Sequence, residues 1–173
     1  IQPFMRFEAV LSSRIEGTHA SLIDVYTYET AQLSFFERTN DVREVYNYVR
    51  AMNYGLERLE TLPDSLRLIR ELHETLMEGV RGGSLAPGEF RRSQNWIGPV
   101  GSTPATAPYV PPPVEEMHKA LDDFEKFIHT DTDITPLIRA GMIHYQFEAI
   151  HPFLDGNGRV GRLLIVLLLC EWG

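Results

Sequence analysis

From residue 41 onward, apolar residues recur at intervals of three and four, a period that commits most of this 173-residue chain to helices packed by one face. Asp41 to Leu59 sets Val42, Val45, Tyr46, Val49, Met52 and Leu56 on one stripe, with Thr39 or Asn40 as its N-cap. Pro63 and Asp64 open a second helix, whose inward face is Leu66, Ile69, Leu72, Leu76 and Val80 and whose stop signal is the glycines between positions 79 and 83. Pro113 starts a third, with Val114, Met117, Leu121, Phe124 and Ile128 inward, and Thr135 with Pro136 starts a fourth that runs toward Ile150. A fifth begins around Arg159. At the N-terminus, Phe4 to Ile15 suits a short helix ended by Gly17, and Ser21 to Leu33 suits another. Between Gly82 and Pro113 the period vanishes: Gly, Pro, Ser and Thr dominate, and only Gln94 to Ile97 reads as an extended piece. An irregular stretch of that length inside a compact domain is often functional, so the expectation is one all-α bundle with one working loop.

Composition narrows the function. With 16 basic and 24 acidic residues the net charge is −8, and no run of five or six cations occurs, so bulk attraction to nucleic acid or to an anionic membrane is not expected. The single cysteine, Cys170, excludes an internal disulfide and a cysteine zinc finger, which suits a reducing, cytoplasmic setting. The longest apolar run, Leu163 to Cys170, is far below the roughly 20 residues that cross a bilayer and belongs in a core. The chain opens on Ile1 and stops at Gly173 directly after that run, so it reads as a piece of something longer with a C-terminal portion missing.

The chemistry is concentrated between His151 and Arg162, where an imidazole, a carboxylate, three glycines and two guanidinium groups share one helix-to-helix loop. Pro152 turns His151 away from helical geometry, so the imidazole should stand at a helix C-terminus, where the dipole favours its protonated form. Gly156 and Gly158 let a ligand approach the backbone, and the first turn of the next helix offers unpaired N–H groups, which together make an anion cradle. Arg159 and Arg162, three apart, suit two successive phosphates. Asp155 would repel a bare phosphate unless a magnesium ion lay between them. The parts describe a polyphosphate site with a base at its edge.

Each part has a plainer reading. Asp-Gly-Asn-Gly alone is a turn, a lone histidine at a helix end is a cap or a core residue, and paired arginines are a solvated face or ion-pair partners. The glycines also match a dinucleotide fingerprint, but a helix rather than a strand precedes them. His144, Glu148 and His151, at spacings of four and three, suggest a zinc site, against which Pro152 pulls His151 off the helix. The co-occurrence of all the parts in twelve positions carries the case.

Taken together, His151, Pro152, Phe153, Leu154, Asp155, Gly156, Asn157, Gly158, Arg159, Val160, Gly161 and Arg162 resemble the signature of the Fic family, His-Pro-Phe-x-Asp/Glu-Gly-Asn-Gly-Arg-x-x-Arg, with no departure. Phe90 to Gly98 and Tyr109 to Pro113 resemble that family's flap and connector. The resemblance implies a Fic-type helical bundle with a short β-hairpin flap, and transfer of AMP from ATP to a Ser, Thr or Tyr hydroxyl of a target protein or of the chain itself. It implies that His151 deprotonates the hydroxyl, that Asp155 holds Mg2+, and that Phe153 anchors the core. Nucleotide binding falls on Gly156, Asn157 with its side chain, Gly158, Arg159 at the β-phosphate, Val160, Gly161 and Arg162 at the γ-phosphate. The flap contributes Ile97, Gly98, Pro99 and Val100 over the nucleotide, and its edge pairs with the target segment.

Ser12 to Gly17 resembles the family's inhibitory motif, Ser/Thr-x-x-x-Glu-Gly/Asn. It implies that Glu16 pairs with Arg162 in place of the γ-phosphate, that Ser12 on the same helical face orients the Glu16 carboxylate, and that in some members this glutamate also helps remove AMP. The division expected is an N-terminal helical part over residues 1–34 with the inhibitory motif, and a core over 35–173. A homodimer is compatible with this reading. The rival functions are another phosphate-linked transfer on the same fold, against which Gly156 and Asn157 argue, and a nucleotide-sensing binding module with little turnover.

Overall fold

A computed structural model describes residues 2–31, 40–80, 82–83 and 85–173. Among these it places helices α1 (Gln2–Ile15), α2 (Leu22–Ala31), α3 (Asn40–Leu59), α4 (Leu66–Leu76), α5 (Val114–His129), α6 (Pro136–Ile150) and α7 (Asn157–Trp172). None of them is long and apolar enough to cross a membrane. Leu33, Thr39 and the expected boundary at 34/35 lie outside the described residues.

The centre is α3, which packs against α1, α2, α4 and α7. A helix enclosed on several sides buries more than one stripe, so Tyr48, Glu44 and Asn47 are buried along with Val42, Val45, Val49 and Met52. Tyr46, expected inside, is half-buried against Tyr28, with ring centroids 4.9 Å apart. Gly55 permits close approach: a Cβ there would meet Leu167 Cδ1 at 2.7 Å and Leu72 Cδ2 at 3.1 Å. Of the run Leu163 to Cys170, expected in the core, Leu163, Leu164, Leu167 and Leu168 are buried, whereas Cys170 at its end is exposed. Each such leucine contributes about 1.5–3 kcal/mol of transfer free energy.

Several boundaries differ from the sequence expectation for local reasons. Ser65, not Pro63 or Asp64, caps α4 by accepting a hydrogen bond from the Leu68 N–H at 3.3 Å. Asp64 is instead buried, and its pKa is pushed up to about 8 by burial and then by neighbouring Glu171. The helix stops at Leu76, and Val80 reaches the core from the turn that follows. Helix α7 begins at Asn157 rather than Arg159, because Gly156, at φ 78°, acts as its N-cap. Ser21 caps α2 reciprocally: its Oγ accepts from the Asp24 N–H at 3.2 Å, and Asp24 Oδ2 accepts from the Ser21 N–H at 2.9 Å.

The flap is a hairpin reduced to one antiparallel pair, Ile97 with Tyr109, in which Ile97 N–H donates to Tyr109 O at 2.9 Å and the return bond is 3.4 Å. Pro99, Pro104, Pro108 and Pro111 remove the donors that would extend it. Ile97 and Val100 are exposed on this flap.

Candidate active site

Helix α6 delivers His151 as its C-cap in the left-handed region, at φ 49° and ψ 61°, with its N–H donated to Phe147 O. Pro152 ends the helix as expected, but the left-handed turn replaces the extended geometry that usually precedes proline. The reason lies in the carbonyl, which accepts from Arg91 Nε at 3.1 Å and from Asn95 Nδ2 at 3.2 Å.

The loop after it is stapled from within. Asn157 Oδ1 accepts from the Phe153 N–H at 2.9 Å, and Asn157 Nδ2 donates to Phe153 O at 2.8 Å. The Asn157 side chain is buried and committed to the loop, which corrects its expected role in cradling phosphate. Phe153 is fully buried, as expected of an anchor, and stacks on the His73 ring at 3.8 Å. His73 Nδ1 accepts from the Gly88 N–H at 2.8 Å, which leaves its Nε2–H to donate to Asp155 O at 3.0 Å. The ring is therefore neutral, and burial pushes its pKa down to about 4. Sequence reading passed over His73, although it sits among Ile69, Leu72 and Leu76 on the buried face of α4.

A pH effect on stability follows. The unfolded chain protonates His73 near pH 6.5 and the folded chain only near 4, so the unfolded state holds the extra proton between those values. The stabilising contribution of neutral His73 is complete above pH 6.5 and is lost as pH falls toward 4. Denaturant unfolding of the parent and of His73→Gln should differ in pH slope by about 1.4 kcal/mol per pH unit in that window and by little above it. Equal slopes would show that His73 keeps its proton on folding.

At the start of α7 the N–H groups of Asn157, Gly158 and Arg159 precede the first intrahelical bond, from Val160 N–H to Gly156 O at 3.1 Å. They form the donor set of an anion seat. Over it lies the Glu16 carboxylate: a Cβ on Gly158 would collide with Glu16 Oε1 and would meet Arg162 Nη1 at 3.0 Å. Arg162 Nη2 donates to Glu16 Oε1 at 2.6 Å. Ser12 does not orient the carboxylate, as was expected, but accepts from Arg162 Nε at 2.7 Å. It thereby holds the guanidinium that Glu16 occupies.

The two arginines part company. Arg159 is buried, and its Nη1 pairs with buried Glu44 at 3.3 Å while Nη2 reaches Met77 Sδ at 3.3 Å. It faces Glu44 on α3 and Met77 just after α4, and not the Glu16 side of α7 where Arg162 lies, which corrects the expectation of two cations on successive phosphates. Val160 is also fully buried with its N–H used by Gly156, so it brings no group to the seat. Gly161 faces α6, where a Cβ would collide with Glu148 Oε1 and meet His144 Nδ1 at 3.0 Å. Among the described residues no three His, Cys, Asp or Glu side chains can hold a metal ion together, so the zinc reading fails.

Asp155 Oδ1 accepts from the Gly156 N–H at 2.6 Å and lies 3.9 Å from Arg159 Nη2, with the side chain 40% exposed. One accessible carboxylate beside an anion seat suits magnesium, which takes one or two carboxylates with phosphate oxygens and waters. At His151 the helix-dipole expectation is overturned. Burial pulls the pKa below the ordinary histidine value and the Arg91 cation adds to this, outweighing the Glu148 backbone, Asp155 and Glu16, which act the other way. The resting imidazole is neutral.

Fold and site define a class: an all-helical domain whose inter-helix loop presents an anion seat and a neutral imidazole, with the Glu16 carboxylate, from the turn after α1, lying against Gly158. The Fic/DOC family model matches residues 61–169 and the Fic/DOC family N-terminal model matches residues 1–57. The chain belongs to the Fic/DOC family. It is 28% identical over 163 residues to the protein adenylyltransferase Fic of Drosophila erecta, covering 92% of this chain and 31% of that protein. Its counterpart from Drosophila grimshawi is 29% identical, with 92% and 32% covered. The chain thus spans about a third of the length of these curated relatives. Among solved structures, a Fic family protein from Desulfovibrio desulfuricans superposes with a TM-score of 0.76 at 25% identity, covering 99% of this chain and 49% of that one. A Fic domain-containing signaling protein from Bacteroides thetaiotaomicron gives 0.75 at 23%, with 99% and 63% covered.

Proposed function

We propose that this chain is the catalytic domain of a protein adenylyltransferase that moves AMP from ATP to a hydroxyl side chain and is held back by Glu16. The observation that carries the reading is the Glu16 carboxylate lying against Gly158 at the start of α7 and paired with Arg162, near a half-buried neutral imidazole. A seat that takes one anion takes another, and Glu16 stands where a terminal phosphate would claim Arg162.

In the released state the triphosphate lies along the start of α7. The N–H groups of Asn157 and Gly158 meet its inner phosphates, and Arg162 meets the γ-phosphate. Arg159, locked to Glu44, contributes charge from beneath and not a contact. His151 Nδ1 is shut from solvent beside the Glu148 backbone, which leaves Nε2 to accept the proton of the target hydroxyl. That oxygen bonds to the α-phosphorus as the bond to the bridging oxygen breaks, and pyrophosphate leaves. Asp155 would hold magnesium, which when bound neutralises phosphate charge. The free edge beside Ile97 registers the target strand over the seat, with Gly98, Pro99 and Val100 closing over the nucleotide.

Intact-mass measurement on a Glu16→Gly sample incubated with ATP and magnesium tests the reading against its rivals. An added AMP supports it. An added phosphate marks the other transfer chemistry, and an unchanged mass with bound nucleotide marks a sensing module.

A further inference from the structure

The foot of the flap holds a buried cation that the mechanism above does not use. Arg91 is 1% exposed, yet among the described residues no carboxylate is one of its hydrogen-bond partners. Its guanidinium donates to carbonyls: Nε to His151 at 3.1 Å, Nη1 to Ser93 at 3.2 Å, and Nη2 to Pro112. Its own N–H donates to Pro152 O at 2.8 Å. Asn95 Nδ2 donates to His151 O at 3.2 Å and to Phe153 O at 2.9 Å. Three consecutive carbonyls of the site loop are thus held by two residues of the flap. Tyr109, on the flap's other side, donates its hydroxyl to Ala149 O at 2.7 Å.

This arrangement is costly. A neutral amide would clip a loop without removing a charge from water, and burial does push the Arg91 pKa below its ordinary value. The left-handed backbone of His151 is strained for a residue other than glycine and persists only where its surroundings hold it. Those surroundings are the donors on its carbonyl. If the carbonyl were released, His151 could relax to the extended geometry that proline favours, and the ring would swing with it.

We infer that Arg91 and Asn95 are positioning residues for His151, gripping its carbonyl so that the foot of the flap sets where the imidazole faces the anion seat. The consequence for catalysis rests on the adenylyl-transfer reading, but the placement of the ring can be tested without it. The charged groups acting on the ring are Arg91 from the flap, Asp155 from the loop and Glu16 from the turn after α1, with the Glu148 backbone on α6. Arg91 is the cation of this set, so it also helps keep the ring neutral.

The test is an NMR titration of histidine-labelled full chain, which has six histidines, with the His151 signal assigned by its loss in His151→Gln. In Arg91→Met the His151 midpoint should rise. In Arg91→Lys and Asn95→Ala the ring signals should shift, and in the Glu16→Gly background kcat should fall on the order of 10- to 100-fold with KM for ATP unchanged. Variants that melt like the parent, titrate like the parent and transfer at the parent's kcat would overturn the assignment. If Arg91→Met does not fold, Arg91→Lys and Asn95→Ala decide by the same ring signals. If the released chain transfers nothing, the adenylyl-transfer reading fails while the ring signals still decide this one.

Discussion

Replacing Glu16 by glycine raises self-adenylylation on the order of 100-fold over the parent at sub-saturating ATP. The magnitude comes from one interaction. Arg162 now spends a charge-assisted hydrogen bond on Glu16 at 2.6 Å, with the guanidinium side chain only 17% exposed. Such a bond contributes roughly 1.5–3 kcal/mol, which at about 1.4 kcal/mol per decade is one to two powers of ten. The same substitution clears the carboxylate from Gly158, where it competes with phosphate for the α7 donors. Radiolabel transferred from ATP, followed over time, measures the effect. Removing Arg162 as well, in Glu16→Gly with Arg162→Ala, should undo most of the gain, because the benefit lies in the freed cation. A Glu16→Gly protein no faster than its parent would mean that the carboxylate is not what restrains the site.

In that released background, His151→Ala lowers transfer by roughly 10²- to 10⁴-fold, the usual range for removing a general base. ATP affinity should change by only a few-fold, since the seat is built from α7 and Arg162. The pH profile adds a sign. Burial lowers the His151 pKa below the ordinary histidine value of 6.5, so the acid limb of the transfer profile should be centred below that value. An acid limb centred above pH 6.5 would contradict the burial argument. Undiminished transfer by His151→Ala would remove the imidazole from the reaction.

How much of this could be read from the residues depended on range. The helices of the core follow from apolar period, a local property, and Pro113 and Pro136 marked two of their starts because proline is tolerated only in a first turn. The loop from His151 to Arg162 was legible because its chemistry is contiguous. What escaped was chemistry assembled across the chain. Glu44, 115 positions from Arg159, turns that arginine inward, and nothing in the local pattern of α3 announces a buried carboxylate. His73 supports the loop from 82 positions away. Arg91 and Asn95 sit in an aperiodic segment where period gives no information on burial. Asn157 misled for a different reason: an amide in a glycine-rich turn reads as a ligand group, whereas its geometry matches one peptide unit, that of Phe153. The pairing of Glu16 with Arg162 came from family resemblance, and no period or spacing would have joined residues 146 positions apart.

That pairing is made within a single chain, and this decides how the enzyme proposed here would respond to its surroundings. A stopper tied to its own bottle acts at an effective concentration that dilution leaves unchanged. Helix α1 is moored by Met5, Ala9 and Val10 in the core, while Ile15 near its end is exposed. Whatever grips the end of α1 from outside would work as a throttle.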